Sequence, residues 1–330
     1  MTQPMERNLG LDLVRVTETA AMGAGRWLGR GDKEAADQAA VDGMRLHLST
    51  LEIDGLVIIG EGEKDEAPML FNGERVGNGT GMVVDVAVDP VDGTTLTASG
   101  LPGAIAVIAL AEGRGSMYAP GSLVYMDKIA VGPQAKGLVD LEAPVSHNLK
   151  QVAKANGKDT GDLRCLILDR PRNQPYIDAA RAAGARISIF QDGDVAAAIA
   201  CAQSHHEADI MLGVGGSPEA VIAAAALQCM GGEIQCKLWP RDDSERELAA
   251  DQRLDLDQVL LTNDLVAPDN VFFAATGVTG GEFLNPVLFA GEEKAITHSV
   301  IMRSKTGSIR YMEATHDLQR LRSISSVTLD

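Results

Sequence analysis

Apolar and small residues recur at helical spacing between about Leu9 and Leu28, at Leu11, Val14, Ala21, Gly25 and Leu28, and predict an amphipathic helix there. A second helix is expected from Asp32, which follows Gly31 and is suited to cap a helix start. Its apolar face reads Ala40, Met44 and Leu48, and one step of three back from Ala40 falls on Asp37. A carboxylate on the inward stripe is out of place for a solvated acid. Short apolar runs then predict strands at Leu56–Ile59, at Met82–Val88 ending on Asp89, at Ala104–Leu110 and around Ile129. From about Gly161 the rhythm changes. LRCLILD, ARISIF and ADIMLGVG alternate with helical stretches at Tyr176–Ala183, VAAAIACA and PEAVIAAAALQCM, the pattern of a mostly parallel sheet covered by helices. The polar AKANGKDTGD stretch is placed as a domain boundary, dividing residues 1–160, an α+β unit, from 161–330, an α/β unit. Asp242–Asp257 is densely charged and reads as a solvated helix or loop.

Composition narrows the function. A chain of 330 residues that is 45% apolar has material for more than one core. Aromatic residues are only 4% and glycines number 35, which favours small-residue helices packed closely on sheets. The formal charge of −17 argues against a nucleic-acid partner, whose phosphates need basic patches. The four cysteines, Cys165, Cys201, Cys229 and Cys236, have no CxxC spacing and point to a reducing compartment. The N-terminus lacks a basic stretch followed by an apolar core, and no apolar run reaches the length of a membrane span, so a cytoplasmic location is expected.

Candidate chemistry lies at the ends of the predicted strands. VAVDPVDGTT (Val86–Thr95) closes an apolar run with two aspartates, Asp89 and Asp92, around Pro90, and continues into Gly93, Thr94 and Thr95. EGEKDE (Glu61–Glu66) follows another strand. Alone, each acid has a plain explanation as a charged turn, a turn former or a helix-start residue. Together they would converge where open sheets collect ligands. Like charges 4–5 Å apart repel by on the order of 3–4 kcal/mol per pair at an effective dielectric near 20. Hard cations, Mg²⁺ or Mn²⁺, relieve that conflict and activate a phosphate ester. Gly93 and Thr94 are expected to offer backbone N–H groups to a phosphate, with the Thr94 hydroxyl orienting an attacking water relayed to Asp65. In the second half, Arg170 and Arg172 follow a strand and suit phosphate oxygens, and Glu219 lies near the start of a helix after a glycine-rich turn.

The inward Asp on a helix, the acidic E-x-E turn and D-P-x-D-G-T after a strand resemble the lithium-sensitive, metal-dependent phosphatases. Within that superfamily, GRGDKEAADQAAVDGMR, VIIGEGEKDEAPML, AVDPVDGTT, YMDKIAVGPQAKG, DRPR, DGDVAAAI and GVGGSPEAVIAAAAL look like class II fructose-1,6-bisphosphatase, in the family's order over about residues 8–315. Asp92 replaces the glutamate usual in that class. The resemblance implies a two-domain layered α/β/α/β/α sandwich, the sugar phosphatase fold, with the site between the domains. It implies Asp37, Glu61, Asp89, Asp92 and Glu219 as metal ligands. Lys33 and Asp65 would stand close to the reacting phosphate and Thr94 would orient the water. Asp92, Gly93 and Thr94, with Tyr125, Arg170, Pro171, Arg172, Asp192, Gly193 and Asp194, would hold the sugar bisphosphate. The implied reaction is hydrolysis of the 1-phosphate of fructose 1,6-bisphosphate, a gluconeogenic step, with sedoheptulose 1,7-bisphosphate as a second candidate substrate, in a homo-oligomer, dimer or tetramer. Three alternatives stay open: an inositol-phosphate or nucleotide phosphatase on the same fold, a dehalogenase-type phosphatase with Asp192 of ISIFQDGDVA as nucleophile, and a non-catalytic sugar-phosphate binder.

Overall fold

Two β-sheets separated and flanked by helices build the molecule, a layered α/β sandwich. The computed structural model describes residues 9–61, 70–203, 208–267, 270–291 and 293–324. The first two helices, Gly10–Gly25 and Lys33–Leu48, cover the outer face of the first sheet. Asp32 caps the second as expected, its carboxylate accepting the Ala35 N–H at 3.0 Å. The two helices cross backbone to backbone. A Cβ on Gly23 would lie 2.5 Å from the Ala39 carbonyl oxygen, and one on Gly43 would lie 2.9 Å from that of Thr19. Gly23→Ala is therefore expected to force the helices apart and cost about 1–3 kcal/mol in denaturant unfolding. Alanine's better helix propensity would win, and the idea fail, if stability rose instead.

The first sheet is built from Ile53–Ile59, Arg75–Val76, Met82–Asp92 and Ile105–Glu112, then from Val271–Gly277, Leu288–Ala290, Lys294–Arg303 and Ser308–Asp317 late in the chain. Met82–Asp92 is its key strand. It runs past Asp89, where the sequence pattern ends it, because pairing to Ile105–Glu112 resumes at Asp92 after an irregular register. The Asp89 carboxylate accepts the Val91 N–H at 3.0 Å across this break. Both aspartates thus stay on the strand end.

The second sheet takes strands between Tyr125 and Leu261, in spatial order Leu260–Leu261, Glu233–Leu238, Tyr125–Val131, Ile210–Gly216, Arg164–Leu168 and Arg186–Phe190. It is mixed rather than mostly parallel. The strands of the alternating β-α stretch do share one direction, but Tyr125–Val131 inserts antiparallel between Ile210–Gly216 and Glu233–Leu238. Sequence alternation fixes the direction of strands joined by helices and says nothing about an earlier strand that enters between them.

Between the sheets lies Ser217–Met230, which touches strands of both. Its run Ala223–Ala226 is almost wholly buried, as expected for a helix that is apolar on every side and squeezed between two layers. Asp194–Ala200 packs beside it. Val145–Asn156 and Gln174–Ala182 close the far side of the second sheet around Ile129, Leu149, Val152, Ile167 and Ile177. The four cysteines are free and buried. Among the described residues no helix is long and apolar enough to cross a membrane.

Candidate active site

A pocket of about 310 Å³ opens where the strand Met82–Asp92 ends against the start of Ser217–Met230. Its walls bring together Lys33 and Asp37 from the second helix, Glu61, then Asp89, Asp92, Gly93 and Thr94, and finally Asp192 and Glu219. Residues spread from position 33 to position 219 thus meet in one place. Asp65 lies outside the described residues.

Each side chain is delivered by a local cause. Asp37 is carried in by the apolar face it shares with Ala40. Gly93 adopts φ 104°, a left-handed conformation that only glycine takes without strain, and a Cβ there would meet Ala104 and Leu96 at 3.1 Å. This turns the chain from the strand into the short helix Thr94–Ser99. The helical bonding begins with the Thr97 N–H to the Gly93 carbonyl, so the N–H groups ahead of it have no helical partner. Lys33 donates to the Thr95 hydroxyl at 2.9 Å and so ties the second helix to this turn. On the opposite wall, a Cβ on Gly216 would fall 1.7 Å from Glu219 Oε2, so the glycine is needed for that carboxylate to fit.

The charges do not balance. Burial raises the carboxyls of Asp37, Glu61, Asp89, Asp92 and Glu219 above their ordinary values. For Glu61, burial is followed by repulsion from Asp37 and Glu219, and it is pushed up to about 8. Asp89 is held well above its usual value by burial and then by Asp92, Glu61, Glu219 and Asp37. Asp92, 3% exposed, feels burial first and then Glu219, Asp194 and Asp192; the Val195 N–H, donating to its carboxylate at 3.2 Å, opposes them. Glu219 Oε2 is buried without a hydrogen-bond partner. Among the described residues no three such side chains are already drawn in as a preformed metal cluster, and the acids instead stand apart around an open pocket. An orphaned oxygen and a ring of hard oxygen donors fit a divalent cation such as Mg²⁺ or Mn²⁺.

The remaining predicted residues, Tyr125, Arg170, Pro171, Arg172, Gly193 and Asp194, are not among those that line this pocket. Arg170 donates to the carbonyls of Asp169 and Gln191 at 2.7 and 2.8 Å, bracing the residue before Asp192. Pro171 opens the turn that follows. Arg172 donates to the Val214 carbonyl at 3.1 Å and lies over the Tyr125 ring at 4.1 Å. Gly193, at φ 93°, starts the helix whose first residue is Asp194. Asp194 does not line the pocket; its carboxylate pairs with Lys128 at 2.6 Å, and that lysine is 1% exposed. Sequence reasoning passed over Lys128. Its signal was present, a lone cation on the same strand face as the apolar Met126 and Ala130. A cysteine nucleophile beside Arg170 is excluded, because Cys165 is fully buried and its thiol is pushed up to about 12.

A layered sandwich with this acid-walled pocket falls in the class of phosphatases. The chain matches the family model described as bacterial fructose-1,6-bisphosphatase, glpX-encoded, over residues 7–316. It is 40% identical to a fructose-1,6-bisphosphatase class 2 from Haemophilus influenzae, over 98% of this chain and 100% of that protein. It is 41% identical to fructose-1,6-bisphosphatase 1 class 2 from Escherichia coli strain K12, over 96% of this chain and 97% of the other. The chain belongs to the class 2 fructose-1,6-bisphosphatase family, whose members are metal-dependent phosphatases.

Proposed function

We propose that this protein hydrolyses the 1-phosphate of fructose 1,6-bisphosphate to fructose 6-phosphate and inorganic phosphate. The observation that carries the reading is the pocket that joins Asp37, Glu61, Asp89, Asp92 and Glu219 to Lys33, Gly93 and Thr94. Family membership names the substrate. The five carboxylates would hold Mg²⁺ or Mn²⁺, which when bound polarises the phosphoryl group and lowers the pKa of water. Lys33 and the turn Gly93–Thr94 bind and orient the reacting phosphate. The Thr94 hydroxyl orients the water on the side facing phosphorus, with Asp65 as the relay. Asp192, Gly193 and Asp194, with Tyr125, Arg170, Pro171 and Arg172, hold the sugar and its other phosphate.

Among the described residues, the guanidinium groups of Arg170 and Arg172 form no ion pair, and both bond to carbonyls. In so acidic a chain that leaves charge for an anion, and it favours a bisphosphate over an inositol monophosphate or nucleotide. In this division of labour, residues 1–160 hold the metal and reacting phosphate and supply Tyr125, and 161–330 supply the remaining sugar contacts and Glu219. Sedoheptulose 1,7-bisphosphate is a second substrate of the same kind. The enzyme works in the cytoplasm as a homo-oligomer, a dimer or tetramer.

Phosphate release from a panel of sugar bisphosphates and inositol phosphates, with each cation in turn, tests the reading. Preference for inositol phosphates would overturn it. Thr94→Ala is expected to lower kcat by about 10²–10⁴ while moving KM less than about threefold, as befits a group acting on the water. Equal losses in kcat and affinity would reduce the hydroxyl to a binding group.

A further inference from the structure

Beyond the residues already assigned, a second arginine converges on the tyrosine beside the pocket. Tyr125 carries the Arg172 guanidinium at 4.1 Å from its ring centre and the Arg241 guanidinium at 5.9 Å. Trp239 meets the same ring edge-on at 6.3 Å, and its backbone N–H donates to the Tyr125 carbonyl at 3.0 Å. Arg241 is exposed, yet it does not wave freely. Its Nε–H donates to Glu245 Oε1 at 2.6 Å and its backbone N–H to Oε2 at 2.7 Å, while Glu245 itself is 6% exposed. A buried carboxylate therefore fixes the direction of an exposed guanidinium.

Two guanidinium groups drawn to one ring repel each other, and Glu245 neutralises only one of them. A dianion between them removes the excess, and planar guanidinium forks suit phosphate oxygens. The place is right for the far end of a substrate. Tyr125 pairs with Gly216 across one strand spacing, roughly 5 Å, and Gly216 is the residue pressed against the Glu219 carboxylate. Arg170 meanwhile braces Gln191, the neighbour of the pocket residue Asp192.

We infer that Arg241, preset by Glu245, is a specificity-determining residue that binds the substrate's second phosphate, the one that is not hydrolysed. Arg172 and Arg241 form its two arms, and the Tyr125–Trp239 pair its apolar wall. The inference rests on the bisphosphatase reading.

The test is steady-state kinetics of the intact enzyme with saturating Mn²⁺. For Arg241→Gln, KM for fructose 1,6-bisphosphate is expected to rise about 10–100-fold, with kcat kept within about threefold. The inhibition constant of fructose 6-phosphate, which keeps the second phosphate, should rise in step. That of inorganic phosphate, which enters the reacting-phosphate site, should stay within about twofold. Arg241→Lys, which keeps charge but loses the fork, should raise KM less than the glutamine does. An unmoved KM overturns the inference, and so does an equal rise in both inhibition constants. If the wild type itself releases no phosphate from fructose 1,6-bisphosphate, the bisphosphatase reading falls and takes the inference with it.

Discussion

Replacing Asp89 with asparagine is expected to raise the melting temperature of the chelated protein at pH 8 while cutting turnover at least about a thousandfold. The two effects share one cause. Asp89 is forced above its usual pKa by burial and then by Asp92, Glu61, Glu219 and Asp37, so ionising it without a cation works against the fold. Repulsion among these carboxylates, once ionised, adds to the cost of burial. Asparagine removes the charge and keeps the Oδ1 acceptor that receives the Val91 N–H. The chelated variant should therefore be the more stable protein at pH 8. The gain should shrink as pH falls and disappear only near the ordinary 3.8, where the unfolded chain takes up the proton as well. Catalysis moves the other way. An amide is a weaker ligand for a hard dication than a carboxylate, and losing about 4 kcal/mol of transition-state stabilisation slows turnover about a thousandfold. Calorimetry in chelator and phosphate release in saturating Mn²⁺ measure the two halves. A variant that melts lower in chelator would show that Asp89 serves structure rather than charge.

Much of this site was legible in the chain because acids stood where secondary structure has no use for them. Asp37 falls on the helix face of Ala40 and Met44, and the fold duly turns it inward. Asp89 and Asp92 end a strand that needs neither, and they meet in the pocket. Periodicity of this kind reveals which face a residue occupies, not which distant element covers that face. The insertion of Tyr125–Val131 into the second sheet is therefore invisible in the pattern, as is the return of the chain from Val271 onward to the first sheet. The same gap hid Lys128 and Arg241. One looks like a surface lysine on a strand and the other like a surface cation just ahead of the charged run Asp242–Asp257, until Asp194 and Glu245 are placed beside them. Long-range ion pairs depend on topology, and local composition does not encode it.

With metal removed, the protein is expected to melt progressively lower as pH rises from about 5 to 8, and Mg²⁺ or Mn²⁺ should restore it most strongly at the alkaline end. The sign follows from the carboxyls. In the unfolded chain Glu61 would titrate at its ordinary 4.5, whereas in the fold it is pushed up to about 8 by burial, Asp37 and Glu219. Between those values the folded state holds more protons than the unfolded one, so stability falls with increasing pH. The contribution is complete below 4.5 and is lost as pH climbs through 8. Each pH unit crossed removes up to about 1.4 kcal/mol per such group, so Glu61 alone accounts for on the order of a few kcal/mol. Asp37, Asp89, Asp92 and Glu219 are shifted in the same direction and add to the slope. A cation binds the ionised acids and releases their protons, adding about 2.7 kcal/mol at a hundredfold excess over its dissociation constant. Titration calorimetry at pH 6 in buffers of different ionisation enthalpy would count those protons. A melting temperature flat with pH in chelator, or metal binding without proton release at pH 6, would mean that the acids are not mutually confined and that the cation is not what reconciles them.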